Sequence, residues 1–164
     1  VRVEELLKRA RSQIGRKTIY RLGSGGMCPG ADRPTGDDGA CDCSGFVCWA
    51  LRLCRNTNHP FYMKQTGGWI NTNAMAADIK ATAGFFEKLS KAKPGCIVVY
   101  PGGIPGHKIG HVGIVASVSG GRPGTVIHCS SGNFRTHGDA IRETGPEVFD
   151  TPHSLFGWYS GLEG

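Results

Sequence analysis

From Val3 to Ile14 the chain reads VEELLKRARSQI, and Leu6, Leu7, Ala10 and Ile14 fall on one stripe at the helical period. Glu4 and Glu5 open that segment and Lys8, Arg9 and Arg11 come later, the order a helix dipole favours, with Gly15 as the stop. A second helical pattern runs from 43 to 54, where Phe46, Val47, Ala50, Leu51 and Cys54 recur and most sides are apolar, so a buried helix is expected. Between the two, residues 21–40, RLGSGGMCPGADRPTGDDGA, are nearly all turn formers. They predict a long surface loop of the functional or mobile kind. NTNHP (56–60) breaks the chain, TGGWINTNAMAADI (66–79) reads as a turn and a short helix, and 81–95 ends in a turn at Pro94-Gly95. From there the period changes to two: CIVVY (96–100), GHVGIVASV (110–118), GTVIHCS (124–130) and a short FGWYSG (156–161) read as strands. Helices first and an antiparallel sheet second predict an α+β fold, one domain over 1–164, without internal repeats.

Composition narrows this picture only a little. At 39% hydrophobic residues the chain is no candidate for disorder, and no stretch has the roughly 20 apolar residues that span a bilayer. Val1 to Gly15 is a charged helix pattern rather than a secretory leader. The net charge of +6 favours an anionic partner, yet the basic residues are scattered without a block, so nucleic acid and membrane insertion are not expected. The 7 cysteines are an odd number, so at least one is unpaired within the chain. Cys28 and Cys41 remain open as a disulfide closing the glycine-rich loop. Cys28, Cys41, Cys43 and Cys48 lack the two-residue spacing of a zinc knuckle, so no metal and no cofactor is expected.

One thiol stands out. Asp42 is a good N-cap, which puts Cys43 in the first turn of a rigid helix, where free N–H groups favour a thiolate. Ser44 and Gly45 follow with little bulk, so a substrate or another backbone can come close. Cys48 and Cys54 lie deeper in the helix and Cys96 opens a strand, all consistent with packing. Of the 6 histidines, only His111 and His128 fall within strand patterns. His111 shares a face with Gly113, whose missing side chain leaves space there, and His128 shares one with Val126. A turn centred between Ser119 and Gly120 sets the two histidines almost opposite each other, and one centred on Gly121 and Arg122 moves them about four residues out of register. Adjacent, they make a nucleophile–base–orienter set with Cys43.

The residues DCSGFVCWAL (42–51), GHVGIVA (110–116) and VIHCSSG (126–132) resemble, in order and spacing, the three signatures of the NlpC-type papain-like cysteine peptidases of bacterial cell walls. TIYRLGSGG (18–26) and AKPGCIVVY (92–100) extend the resemblance over nearly the whole chain, although Cys96 stands where an aspartate is common and the insertion from Gly23 to Ala40 is less typical. The resemblance implies a papain-like fold with Cys43 as nucleophile, His111 as base and His128 as the third, polar residue. It also implies that Tyr20 lines the site and that Asp42 and Ser44 bind the free amine of an L-alanine. Trp69, Asn71 and Asn73 are candidates for a groove wall, and Phe134, Arg135 and His137 for a rim; exposed turn residues look the same. The implied activity is endopeptidase cleavage of the peptidoglycan stem peptide at D-γ-glutamyl-diaminopimelate. N-acetylmuramoyl-L-alanine amidase activity and a non-catalytic wall-binding module are the alternatives. The implied setting is the bacterial periplasm or cell wall, reached by secretion, by a phage or as a delivered toxin, in which case an immunity protein would be a partner.

Overall fold

The computed structural model describes residues 1–164. Its first helix, α1 (Val3–Arg11), buries Leu6 and Ala10 and stops three residues before the apolar stripe does. Gly15, at φ +86°, turns the chain toward β1 (Ile19–Tyr20). β1 pairs in parallel with β2 (Ala40–Cys41), Tyr20 opposite Cys41, so the long loop is clamped at its base beside Asp42. The loop is also pinned along its length. Arg9 stacks on Trp49 and donates to the Pro29 carbonyl at 2.6 Å, and the Trp49 indole donates to the Ala31 carbonyl at 2.8 Å.

Every residue of α2 (Cys43–Ala50) is buried. The helix ends short of Cys54 because Arg52 adopts the left-handed conformation, φ +59°. The Leu53 N–H then returns to the Cys48 carbonyl at 2.8 Å and the Arg52 N–H to that of Trp49 at 3.0 Å, a Schellman stop without its usual glycine. At the other end Gly45 lets the loop close over the first turn. A Cβ there would lie 2.8 Å from Arg55 Nη1 and 2.9 Å from the carbonyls of Ser24 and Gly25.

NTNHP is not only a break but a helix start. Pro60 opens α3 (Pro60–Thr66), and the His59 ring nitrogen accepts the Phe61 N–H at 3.2 Å. α4 (Thr72–Ala81) is capped by Asn71, whose Oδ1 accepts the Ala74 N–H at 2.9 Å. The strands expected from the two-residue period are present within two residues at each end: β4 (Ile97–Tyr100), β5 (His111–Ser119), β6 (Arg122–Cys129) and β8 (Leu155–Tyr159). Two more strands, β3 (Phe86–Leu89) and β7 (Ile141–Thr144), and a helix, α5 (Ser131–His137), fall where the sequence has no clear period. The six strands form one antiparallel sheet in the order β3-β8-β4-β5-β6-β7. One face of the sheet packs against α2 and α4 around Phe46, Met75, Ile79, Ile97 and Ile114, and the other buries Val98, Val115 and Val126 beneath Phe149. This is the α+β, papain-like arrangement expected.

β5 and β6 are joined through Gly120 and Gly121, both at positive φ, with Ser119 opposite Arg122. The register lies between the two alternatives. A local irregularity around Ser117 is absorbed, and Ile114 faces Ile127. His128 therefore sits across from Gly113, one step on in the same register, and His111 lies two residues further along the same face.

Candidate active site

Cys43 is the first residue of α2 and is 3% exposed. Asp42 precedes it in an extended conformation and caps the helix, Oδ1 accepting the Gly45 N–H at 2.8 Å and Oδ2 the Gly23 N–H at 2.8 Å. A residue with no signal in the sequence completes this end. Arg55, 1% exposed, places Nη1 2.6 Å from Asp42 Oδ1, donates through Nη2 to Ser44 Oγ at 2.7 Å, and lies over the Trp69 ring at 4.2 Å. Asp42 and Ser44, expected to read a substrate ammonium, both line the cleft beside Cys43, and both are joined to Arg55. The carboxylate is nearly buried and neutralised by a guanidinium, and the Ser44 oxygen already accepts from that same group.

The thiol itself also departs from expectation. The backbone N–H groups of Val112 and Ser44 and the charge of Arg55 all favour the thiolate, but burial and the Asp42 charge oppose them and win, pushing Cys43 up to about 12. Cys43 therefore rests as a neutral thiol. The Val112 N–H beside its sulfur belongs to the residue that follows His111, which brings the start of β5 against Cys43.

Burial, then the neighbouring His128 and His107, take His111 down to about 3, and burial takes His128 down to about 4, so both imidazoles are neutral. Nε2 of His111 lies 2.8 Å from Nδ1 of His128, and Nε2 of His128 lies 2.8 Å from Thr144 Oγ1. Nδ1 of His111 makes no hydrogen bond. Phe149, from a 3-10 turn at Glu147–Phe149, lies flat on the His111 ring with centroids 5.0 Å apart and meets His128 edge-on. The space at Gly113 is not open to a substrate. A Cβ there would lie 2.5 Å from Val126 Cγ1 and 3.0 Å from His128 Cβ, so the glycine admits the second histidine.

Tyr20 is half-buried and its hydroxyl is pushed up by burial and then by the nearby Cys43. Tyr100, opposite His111 in the sheet, is shifted the same way for the same reasons. A cleft of about 300 Å³ opens beside Cys43, with Leu22 and Ile109, 60% and 55% exposed, on its lips and Trp69, Asn71, Asn73 and Lys108 in its wall. The groove-wall candidates thus reach the site, and the start of the long loop shapes the entrance. Phe134, Arg135 and His137 lie on α5 and do not line that cleft. All seven thiols are free, Cys28 exposed and Cys41 buried, so the loop is held by hydrogen bonds and the β1–β2 ladder rather than by a disulfide.

The sequence model of the CHAP domain matches residues 34–133, which include Cys43, His111 and His128. No curated protein matches the sequence. Among solved structures, Ly7917 is similar with a TM-score of 0.52 and 17% identity, over 94% of this chain and 61% of that one. Ly7917 with the hydrolyzing product of MDP gives 0.51 and 15% over the same shares. The P60 domain from the M. avium subspecies paratuberculosis antigen MAP1204 gives 0.49 and 18%, over 94% of this chain and 91% of that one. The chain thus spans about three fifths of the length of Ly7917 and shares its fold.

Proposed function

The chain belongs to the CHAP domain family, the cysteine- and histidine-dependent amidohydrolases and peptidases that act on peptidoglycan, and on that premise we propose that it is a stem-peptide endopeptidase with Cys43 as nucleophile, His111 as base and His128 as its orienting partner. The observation that carries this reading is the Cys43 thiol at the start of α2, against the strand whose His111 is bonded to a second imidazole and keeps Nδ1 free. Because the resting pair is thiol and imidazole, the proton moves during attack. Sγ of Cys43 adds to the amide carbonyl as its hydrogen passes to His111. The oxyanion is met by the backbone N–H of Cys43 at the helix start, which makes no other hydrogen bond. Protonated His111 then gives its proton to the leaving amine as the C–N bond breaks. A water, deprotonated by His111, adds to the thioester and releases Cys43 as the thiol.

The scissile bond in this reading is D-γ-glutamyl-diaminopimelate. The open cleft with Lys108 in its wall and the net charge of +6 suit an anionic wall polymer outside the cytoplasm. With Asp42 bound to Arg55, intact muropeptides and free stem peptides should be cut alike. Digestion of purified muropeptides, with products identified by mass, tests the bond. A disaccharide still carrying L-Ala-D-Glu is expected. A bare disaccharide with the whole stem peptide released would replace this reading with an N-acetylmuramoyl-L-alanine amidase. On the same substrate Cys43→Ser should release nothing, His111→Ala should lose more than about 100-fold, and His128→Ala about 10- to 100-fold. The reverse order for the two histidines would exchange their roles.

A further inference from the structure

We propose that Thr144 is a positioning residue that sets the tautomer of both histidines, so that Nδ1 of His111 carries the lone pair a base needs. The inference rests on His111 acting as that base. Three contacts form a chain: His111 Nε2 to His128 Nδ1 at 2.8 Å, His128 Nε2 to Thr144 Oγ1 at 2.8 Å, and Thr144 Oγ1 to the Gly145 carbonyl at 2.8 Å. A carbonyl can only accept, and a hydroxyl has one hydrogen. The last contact is therefore a bond only if Thr144 donates to Gly145. Its oxygen is then left to accept, so the proton of neutral His128 sits on Nε2 and Nδ1 is bare. That bare nitrogen in turn requires the His111 proton on Nε2. Nδ1 of His111, which makes no other hydrogen bond, is left as the free lone pair.

The opposite arrangement breaks one of these bonds. If Thr144 turned its hydrogen to His128, two oxygen acceptors would face each other at the Gly145 distance. The chain would then run backwards, and His111 would carry its proton on Nδ1, unable to take one from a thiol. The hydroxyl is well placed for this choice. Thr144 faces Val126 in the β6–β7 ladder and so shares the sheet face of His128. Its β-branched side chain has few rotamers to wander among. When His111 is protonated in the reaction, the direction of the chain is unchanged, so no second proton has to move.

The decisive pair of variants is Thr144→Val, which keeps the shape and removes the hydroxyl, and Thr144→Ser, which keeps the hydroxyl. Nitrogen-15 spectra of the wild-type histidines between pH 6 and 8 should show a protonated Nε2 and a bare Nδ1 on both rings. Thr144→Val should lose that single pattern, with kcat down about 10- to 100-fold and KM nearly unchanged, while Thr144→Ser should keep the pattern and stay within a few-fold of wild type. A protonated Nδ1 on wild-type His111, or a folded Thr144→Val protein with wild-type spectra and kcat, would overturn the proposal. Full activity in His111→Ala would instead overturn the base assignment, and the spectra report on Thr144 independently of it.

Discussion

Asp42 and Arg55 are thirteen positions apart and meet at 2.6 Å, both nearly buried, at the floor of the cleft beside Cys43. The pair decides what Asp42 does. An unpartnered carboxylate next to Cys43 would recruit an ammonium, whereas one beside a guanidinium fixes the helix start and the loop at Ser24 and Gly25, whose carbonyls the same guanidinium reaches. Removing one member of such a pair leaves the other charge buried and alone, which costs about 3–5 kcal/mol. Arg55→Met should therefore unfold at clearly lower urea, by about that amount. The double change Arg55→Met with Asp42→Asn should recover much of it, since Asn caps a helix almost as well as Asp. Equal stability of the single and double variants would show that the charge is not what makes Arg55 necessary.

At the scale of elements, β5 and β6 bring the histidines together only because position 113 has no side chain. Gly113→Ala would set its Cβ 2.5 Å from Val126 Cγ1 and 3.0 Å from His128 Cβ, with Phe149 3.1 Å away on the third side. Overpacking of this kind costs about 1–3 kcal/mol. The strain falls on the ring that orients His111, so activity should drop about tenfold or more in a protein that still folds. Comparison of the urea midpoint with kcat on stem peptides checks this. A stability loss with unchanged kcat would mean that β6 yields elsewhere and the histidine contact survives.

For the molecule as a whole, the buried titratable groups predict a stability maximum near neutral pH. His128 sits at about 4 in the folded chain and near 6.5 when unfolded. The unfolded chain takes the proton first, so stability is full above about pH 6.5 and falls as pH drops toward 4, by up to about 1.4 kcal/mol per pH unit. His111 acts in the same direction. Cys43, pushed up to about 12, is the opposite case. The unfolded thiol ionises from about pH 8.5, so stability present below that is lost as pH rises toward 12. Cys96, raised to about 11 by burial, adds to the alkaline limb. Urea midpoints from pH 4 to 10 should describe a dome with its top between about 6.5 and 8.5. A flat profile would mean that these groups titrate as freely in the folded chain as in the unfolded one.

The sequence by itself determined the parts that depend on neighbours along the chain. The cap at Asp42, the helix that begins at Cys43, the two-residue alternation of β4, β5 and β6, and the spacing that gathers Cys43, His111 and His128 into one recognisable set are all local patterns. So is the family resemblance, which rests on short runs of residues and led to the cysteine-dependent wall-hydrolase chemistry of the CHAP family. What the tertiary structure decided depends on elements distant in sequence. Helix α5 and strands β3 and β7 are short and only partly buried, so they carry too few periodic positions to announce themselves. The histidine register hung on which two of several turn residues make the tight turn. Arg55 and Thr144 have no pattern of their own and acquire a role only when loops and a sheet edge close around them. The direction of the Cys43 shift went against local reasoning because a helix start acts over one turn, whereas desolvation sums over every element packed around the sulfur.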